Sequence, residues 1–470
     1  MPLRRLSILA AITPMFWVLA VGLSGCGESS LEIPEPISAS PKGASSDSQT
    51  NPSGVSVSGE QDWPVQTETS ETATSATLRN GVRSFDLEKA TLQELRELTL
   101  RALESDQEDV AFQLIRRAVA RFPSDTEIVY LQAMILAERH RFRESVLILD
   151  ELAAKVPQSR IAFLGQTAQW CGEAGQFEEA EKRYREVLKA MPDEPQVHHY
   201  LGQLLLQLGR RVEAHEHFSY LSRIGDINQD ELRSMLLLWK AFPGDAESSR
   251  LVPLSDLAWA RQSMGDGSAI EALSRLQEVQ TPDAIAFAAR IQLLEGDFAS
   301  AEKLLGGIEI LGTNPDYCLG RAMIALNRGK IDEALQFIAR AVSLDPSDAE
   351  CYNQMVLIAK EAGQEDVANG ARERVKLLRK SVLLGQRLVG DDGENRKSLA
   401  ELIVVLEQLR RPLEVFGWRS IDLVYAVNAG SISDSVAQER FEAIARERNA
   451  LLRSGDVTPD PSFVLCGLRL

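Results

Sequence analysis

The chain reads as all-α, a row of paired antiparallel helices, and three observations predict it. After Phe85, alanine, leucine, arginine and glutamate dominate, while aromatics make up only 6% of 470 residues. That is a composition of helix formers rather than strand formers. Apolar residues recur at the three- and four-residue spacing of helices buried on one side. Pro123, Pro157 and Pro192 stand 34 and then 35 residues apart, so the pattern recurs at the length of one helix pair.

The chain opens with Arg4 and Arg5, followed by a mostly apolar run from Leu6 to Leu23, the layout of an export signal. Leu23-Ser24-Gly25-Cys26 then resembles the lipobox of bacterial lipoproteins. The resemblance implies a signal peptide over 1–25, cleavage before Cys26 and lipidation of its thiol. Acyl chains at about 0.8 kcal/mol per buried CH₂ make such an anchor stable. Gly27 follows the cysteine where the family's inner-membrane retention mark would be aspartate, so the leaflet stays open. Residues 26–84 are rich in Ser, Thr, Pro and Gly with almost no bulky aliphatics. They are expected to be a disordered tether, because too little apolar surface is available to offset the ordering entropy. Trp63 is the lone large aromatic there.

The first helical block spans 85–226. Leu95, Leu98, Ala102, Ala111, Ile115 and Ala118 take packing positions in its first unit, and Val129, Ala133, Leu136, Phe142, Ser145 and Leu149 in its second. The clearest unit runs from Ile161 to Glu194. Ala168 and Ala180 are small enough for two helices to cross closely, and Gly175 sits at the turn, where positive φ is cheapest for glycine. Leu164, Phe177, Tyr184 and Val187 fill the surrounding space, and Pro192 ends the unit. This order of large, small, glycine, aromatic, alanine, aromatic and proline resembles a tetratricopeptide repeat. The resemblance implies a right-handed α-solenoid whose first helices line a concave groove. One such repeat cannot bury its own apolar face, so its neighbours are expected to be repeats as well.

A fourth unit follows with Leu201, Gly202, Leu205, Gly209, Ala214 and Phe218. The pattern weakens over 227–280, where Pro243-Gly244 interrupts an apolar stretch before Leu257, Ala260, Ala272 and Leu276 resume it. This segment is expected to hold divergent helical repeats, with a break in the superhelix as the alternative. Residues 281–390 form a second block of repeats, with Ala289, Gly296, Ala301, then Ala322, Gly329, Ala334, then Tyr352, Gly363 and Ala368. The last helix of this block is expected to run on through Leu377, Leu378, Val382 and Leu383. Residues 391–458 hold a degenerate pair around Arg410-Arg411-Pro412 and an amphipathic helix from Val436 to Leu452, expected to cap the row. Residues 459–470 read as an extended apolar tail.

The formal charge of −17 argues against nucleic acid, which needs a basic footprint. The cysteines form no C-x-x-C pair, which excludes a zinc ribbon or thioredoxin-like motif. Cys171 falls at an inward position, and Cys318 and Cys351 sit on successive first helices too far apart for an easy disulfide. His198, His199, His215 and His217 share one repeat, but neighbours on a helix diverge by about 100°, so no metal site is expected. No nucleophile elbow, phosphate loop or kinase signature occurs, and no cofactor, small-molecule substrate or catalysis is expected.

Carried over from the repeat family, the groove-lining positions are Tyr130, Met134, Gln166, Gln169, Glu173, His199, Gln203 and Gln207. The back half adds Arg290, Leu293, Met323, Asn327, Asn353 and Leu357. Tyr130, Gln166 and His199 stand where chaperone-tail clamps carry Lys and Asn, so that activity is not expected. The leading expectation is a lipid-anchored scaffold of the bacterial cell envelope, facing the periplasm or exterior, that binds a protein or peptide partner in its groove. The alternatives are an assembly lipoprotein working through its anchor and convex face, and an accessory to an envelope enzyme.

Overall fold

The computed structural model describes residues 89–236, 252–308, 312–388, 396–455 and 461–468. The signal peptide, Cys26, the tether with Trp63, and Pro243-Gly244 lie outside the described residues. Among the described residues there are twenty-one α-helices and one short 3₁₀ turn. None of these helices is long and apolar enough to cross a membrane. The chain divides into two compact units, with the boundary between Ala174 and Gly175. That boundary falls at the turn of the clearest repeat.

The first unit contains α1 (Leu92–Glu104), α2 (Glu108–Arg121), α3 (Thr126–Glu138), α4 (Phe142–Lys155) and α5 (Arg160–Glu173). Each packs on the helix next to it in sequence. Thr91 and Glu94 form a capping box that starts α1, and Asp125 caps α3 by accepting from the Ile128 amide at 2.9 Å. The core joins Leu95, Ala102, Ala111, Leu114, Ile115 and Ala118 to Ile128, Leu131 and Ile135. Helix α3 is mostly apolar, with eight of its thirteen residues buried.

In the second unit α6 (Phe177–Ala190) leads to α7 (Pro195–Gln207) and α8 (Arg211–Ile224). After α9 (Gln229–Leu236), pairing resumes with α10 (Asp256–Gly265) and α11 (Ala269–Leu276), then α12 (Pro282–Leu294) and α13 (Phe298–Gly306). Two further pairs are α14 (Pro315–Asn327) with α15 (Ile331–Leu344), and α16 (Ala349–Glu361) with the 23-residue α17 (Glu365–Arg387). The last pair is α18 (Arg396–Gln408) with α19 (Pro412–Asn428), followed by α20 (Asp434–Ser454) and a single turn, α21 (Pro461–Val464).

The turn inside each pair needs one residue in the left-handed region. Glycine fills it at 209, 267, 296, 329 and 363, and Gly175, at the boundary of the units, also has positive φ, while Asp106, His140 and Arg410 adopt it without that freedom. The last three are repeats whose turn residue gave no sequence signal. Ala168 and Ala180 are fully buried, as are Tyr184 and Val187 to within a few per cent, but Phe177 and Leu164 are only half-buried. The burial expected of Leu164 is supplied by its neighbour Phe163.

Two expectations need correction. Helix α9 does not extend the row as a divergent repeat; it packs across α17 and α19. Gln229 Nε2 donates to the Leu388 carbonyl at 3.0 Å, Tyr425 Oη donates to Gln229 Oε1 at 2.5 Å, and Arg411 Nη2 donates to the Met235 carbonyl at 3.1 Å. Gly385 and Gly417 permit this approach, since a Cβ at either would press to 2.7 Å on Leu236 or 2.9 Å on Leu232. Helix α8 also touches α19, so the second unit closes on itself, and one core runs from Leu232 to Leu468.

The second correction concerns the C-terminal tail, which is not extended. It folds as α21 and a following turn against its own unit. Tyr352 Oη donates to the Val464 carbonyl at 3.1 Å, Arg374 Nη1 donates to the Phe463 carbonyl at 3.3 Å, and Leu468 is buried. An apolar end of this length is stable only against a surface, and α15, α16 and α17 provide it.

Candidate functional site

The expected groove residues separate into three kinds. Tyr130 and Met134 are buried rather than groove-lining. The Tyr130 ring stacks on Phe163 with centroids 6.0 Å apart, and burial pushes its hydroxyl up to about 12. Both belong to the mostly apolar helix α3, eight of whose thirteen residues are buried. Gln166, Gln169 and Glu173 remain at least partly open on α5, with Gln166 and Gln169 in contact at 3.5 Å.

The third kind are on α7 and are occupied by their own chain. His199 Nδ1 meets Glu231 Oε1 at 2.6 Å, and Gln203 Nε2 donates to the same oxygen at 3.4 Å. Gln207 Nε2 donates to the Val252 carbonyl at 3.2 Å. The hydrogen bond from Glu231 raises the His199 pKa above its ordinary value. Helix α9 and the segment leading into α10 therefore occupy these positions of α7. Sequence reading missed this because Glu231 belongs to a stretch with no repeat pattern to place it.

The polar centre of the second unit lies elsewhere, and of the sequence candidates it includes only Arg290. Three arginines from three second-unit helices, Arg211 on α8, Arg261 on α10 and Arg290 on α12, converge on Asp316, Asp345 and Asp348. Arg290 Nη1 donates to Asp316 Oδ1 at 2.8 Å and to Asp348 Oδ2 at 2.6 Å, with Nη2 on Asp348 Oδ1 at 3.1 Å. Arg261 Nη2 reaches Asp316 Oδ2 at 2.9 Å, and its Nε donates to the Gly209 carbonyl at 2.9 Å. Arg211 pairs with Asp345 and reaches Asp316 Oδ1 at 3.3 Å. All six side chains are buried.

Local structure places each acid. Asp316 lies in the first turn of α14, behind the capping residue Asn314 and Pro315. Asp348 caps α16, and Asp345 accepts from the Ser347 amide and hydroxyl in the turn between α15 and α16. Burial alone would raise the Asp316 carboxyl, but Arg261, Arg211 and Arg290 outweigh it and hold the group well below the carboxylate range. Burial likewise works against Arg290, and Asp348 and Asp316 more than restore its charge. Three positive and three negative charges cancel, so the cluster is a desolvated fastener rather than an acid–base centre.

An open cleft of about 530 Å³ lies on one side of this cluster. Its wall includes Arg210, Val212, Glu216, Asp283 and Thr313, with Arg211, Arg261 and Asp316 at its floor. A smaller cavity of about 220 Å³ borders Asp345 and Ser347 on the other side.

The four histidines of the 198–217 stretch separate into different environments, but two of them meet. His198 Nδ1 and His217 Nδ1 are 2.9 Å apart, His198 Nε2 lies 2.9 Å from the Pro192 carbonyl, and the His198 ring stacks on Tyr220 at 3.9 Å. A carbonyl only accepts, so Nε2 carries the His198 proton and His217 Nδ1 donates to His198 Nδ1. Burial, then His198, push His217 down to about 4. Among the described residues no group of three His, Cys, Asp or Glu side chains is placed to hold a metal ion. Cys171, Cys318 and Cys351 are buried.

Comparison with known proteins gives a family match: residues 173–233 fit the tetratricopeptide repeat family. This stretch covers α6, α7 and α8 and the start of α9, and the helix pairs on either side repeat its layout. No curated protein matches the chain. Among solved structures, a tetratricopeptide repeat protein from Parabacteroides merdae is similar at 15% identity, over 57% of this chain and 98% of that one, with a TM-score of 0.25. The structure of Naa15/Naa10 bound to HypK-THB is similar at 14% identity, over 78% of this chain and 61% of that one, with a TM-score of 0.25. The APC/C hetero-tetramer Cut9-Hcn1 is similar at 13% identity, over 81% and 82%, with a TM-score of 0.27. The fold assignment rests on the family match and on the helix pairs themselves.

Proposed function

We propose that this tetratricopeptide-type helical scaffold is a lipid-anchored, non-catalytic protein-binding module of the bacterial cell envelope, and that it holds a partner segment in the cleft of its second unit. The observation that carries the reading is the cleft itself. It is open, lined by both apolar and charged side chains, and backed by a buried ion cluster that ties α8, α10 and α12 to the starts of α14 and α16. A rigid wall spares the partner the entropy of ordering its receptor, and Asp283, Glu216 and Arg210 supply charges for selectivity.

The test places a photo-crosslinking residue at Glu216 or Thr313 in the cleft, and at Leu147 or Ile270 on exposed surface outside it. The expected outcome is one protein captured from both cleft positions, absent from the outside positions and lost on Asp283→Lys. Equal capture from both surfaces would rule the cleft out. The anchor is tested separately by incorporation of labelled palmitate, which Cys26→Ala abolishes if the lipobox is read correctly.

A further inference from the structure

We propose that the smaller cavity of the second unit is a binding site for a small oxyanion, a phosphate or a short carboxylic acid. The cavity measures about 220 Å³ and is bounded by α8, α9, the turn before α16, α17 and the Arg410-Arg411 turn. It lies below the roughly 300–1,000 Å³ of drug-sized pockets, which limits its occupant to a few heavy atoms. Four arginines line it, Arg223, Arg374, Arg410 and Arg411, in a chain whose overall charge is −17.

Of the two carboxylates on the same wall, Asp345 is engaged on both oxygens, whereas Glu414 is engaged on one, its Oε2 being buried without a partner. Asp345 is held by Arg211 and by the Ser347 amide and hydroxyl. Glu414 takes Arg411 Nε at 2.5 Å, and burial raises its carboxyl pKa despite that partner. Arg223, Arg374 and Arg410 have no carboxylate within ion-pair distance among the described residues. Arg374 decides the matter, because it is only 5% exposed. It donates one hydrogen bond, to the Phe463 carbonyl, and its Nε is buried with no partner. Arg411 Nη1 is buried and unpartnered on the same wall.

A buried guanidinium without a counter-charge is costly. Its planar fork of donors matches the oxygens of carboxylate and phosphate. The Phe463 ring holds the fork in place, with the guanidinium carbons of Arg374 and Arg410 at 4.6 and 4.4 Å from its centroid. Arg410 is the one left-handed turn residue in this unit that is neither glycine nor in the glycine-containing final turn, with φ 53° among the described residues. Local strain of that kind is retained where the surroundings over-determine it. His215 completes the lining; burial and then Arg411 push it down to about 4, so at neutral pH it adds hydrogen bonding without charge.

The experiment is a thermal-shift and calorimetric titration of the full chain with inorganic phosphate and, separately, succinate, at constant ionic strength. A saturable rise in Tm with either or both supports the site and tells which oxyanion it prefers. Arg374→Gln is expected to weaken the apparent affinity at least tenfold. Arg223→Gln, at the exposed rim, should weaken it three- to tenfold with an unchanged ligand-free Tm. Arg419→Gln, whose guanidinium is paired with Glu447 on α20, should leave the affinity unchanged. No saturable response to either anion, or one affinity shared by wild type and Arg223→Gln, overturns the assignment. The cleft crosslinking is independent of both outcomes.

Discussion

The two units are built from the same helix pair but differ in what they bury. In the first unit the buried polar residues are Thr99, Gln107, Ser145, Ser159 and Thr167, none of them charged. Every buried charged side chain among the described residues belongs to the second unit, including Arg211, Arg261, Arg290, Asp316, Asp345, Asp348, Arg374 and Glu414. The connections differ in parallel. First-unit helices rest on their sequence neighbours, whereas Arg211 and Asp345 are 134 residues apart and Gln229 and Tyr425 are 196 apart. Neighbouring helices are held in register by a short turn and need only an apolar stripe. Segments that meet across long stretches of chain have no such guide, and directional charge pairs supply one.

The largest expected effect comes from removing the shared acid. Asp316→Ala leaves Arg211, Arg261 and Arg290 with too few counter-charges and should destabilise the second unit by about 3–5 kcal/mol. Hydrogen exchange should show the loss in α8, α10 and α12 while α1–α4 keep their protection. A uniform loss across both units would end the contrast between them.

The counterpart in the first unit is Leu131→Ala, a buried apolar truncation expected to cost about 2–4 kcal/mol. Here protection should fall in α2, α3 and α4 with α14–α17 unchanged. Comparable losses in the two units would show that they do not open separately.

A smaller and graded difference is expected from acid. His215 and His217 have folded pKa values lowered to about 4 from an ordinary 6.5. Groups that stay neutral in the fold but protonate when unfolded withdraw stability as pH falls through the window from 6.5 to 4. His199 runs the other way: its raised pKa adds stability that is complete below 6.5 and is lost as pH climbs through the folded value. Below pH 6.5 the His199 contribution is already complete and constant, so between pH 6.5 and 4 the two lowered histidines decide the sign and the second unit should weaken. Denaturant midpoints at pH 7 and pH 4.5 check the sign, and His215→Gln should flatten the difference.

Much of the fold was legible because each repeat states its own geometry. Ala322, Ala334 and Gly329 mark a close helix crossing and its turn; both alanines are fully buried and the glycine has φ 68°. Spacing alone also located α17 beyond Val375. The candidate site was far less legible. Arg290 was placed on a groove-facing position, yet its partners Asp316 and Asp348 look in sequence like first-turn and capping residues of ordinary helices. Glu231 and Phe463 offered no pattern that placed them, because the segments carrying them lie outside the repeats and are positioned only by what they touch.

The sequence by itself determined the all-α class, the helix pairs, their turns and the apolar stripe of each, since these depend on residues within one repeat length. Tertiary structure alone decided that α9 crosses to α17 and α19, that the C-terminal turn docks on α15, α16 and α17, and that six ions meet in the second unit. Those features join residues 100 or more positions apart in several cases, as with Arg211 and Asp345 at 134. No local spacing encodes such a meeting, because its free energy exists only once both segments are already folded.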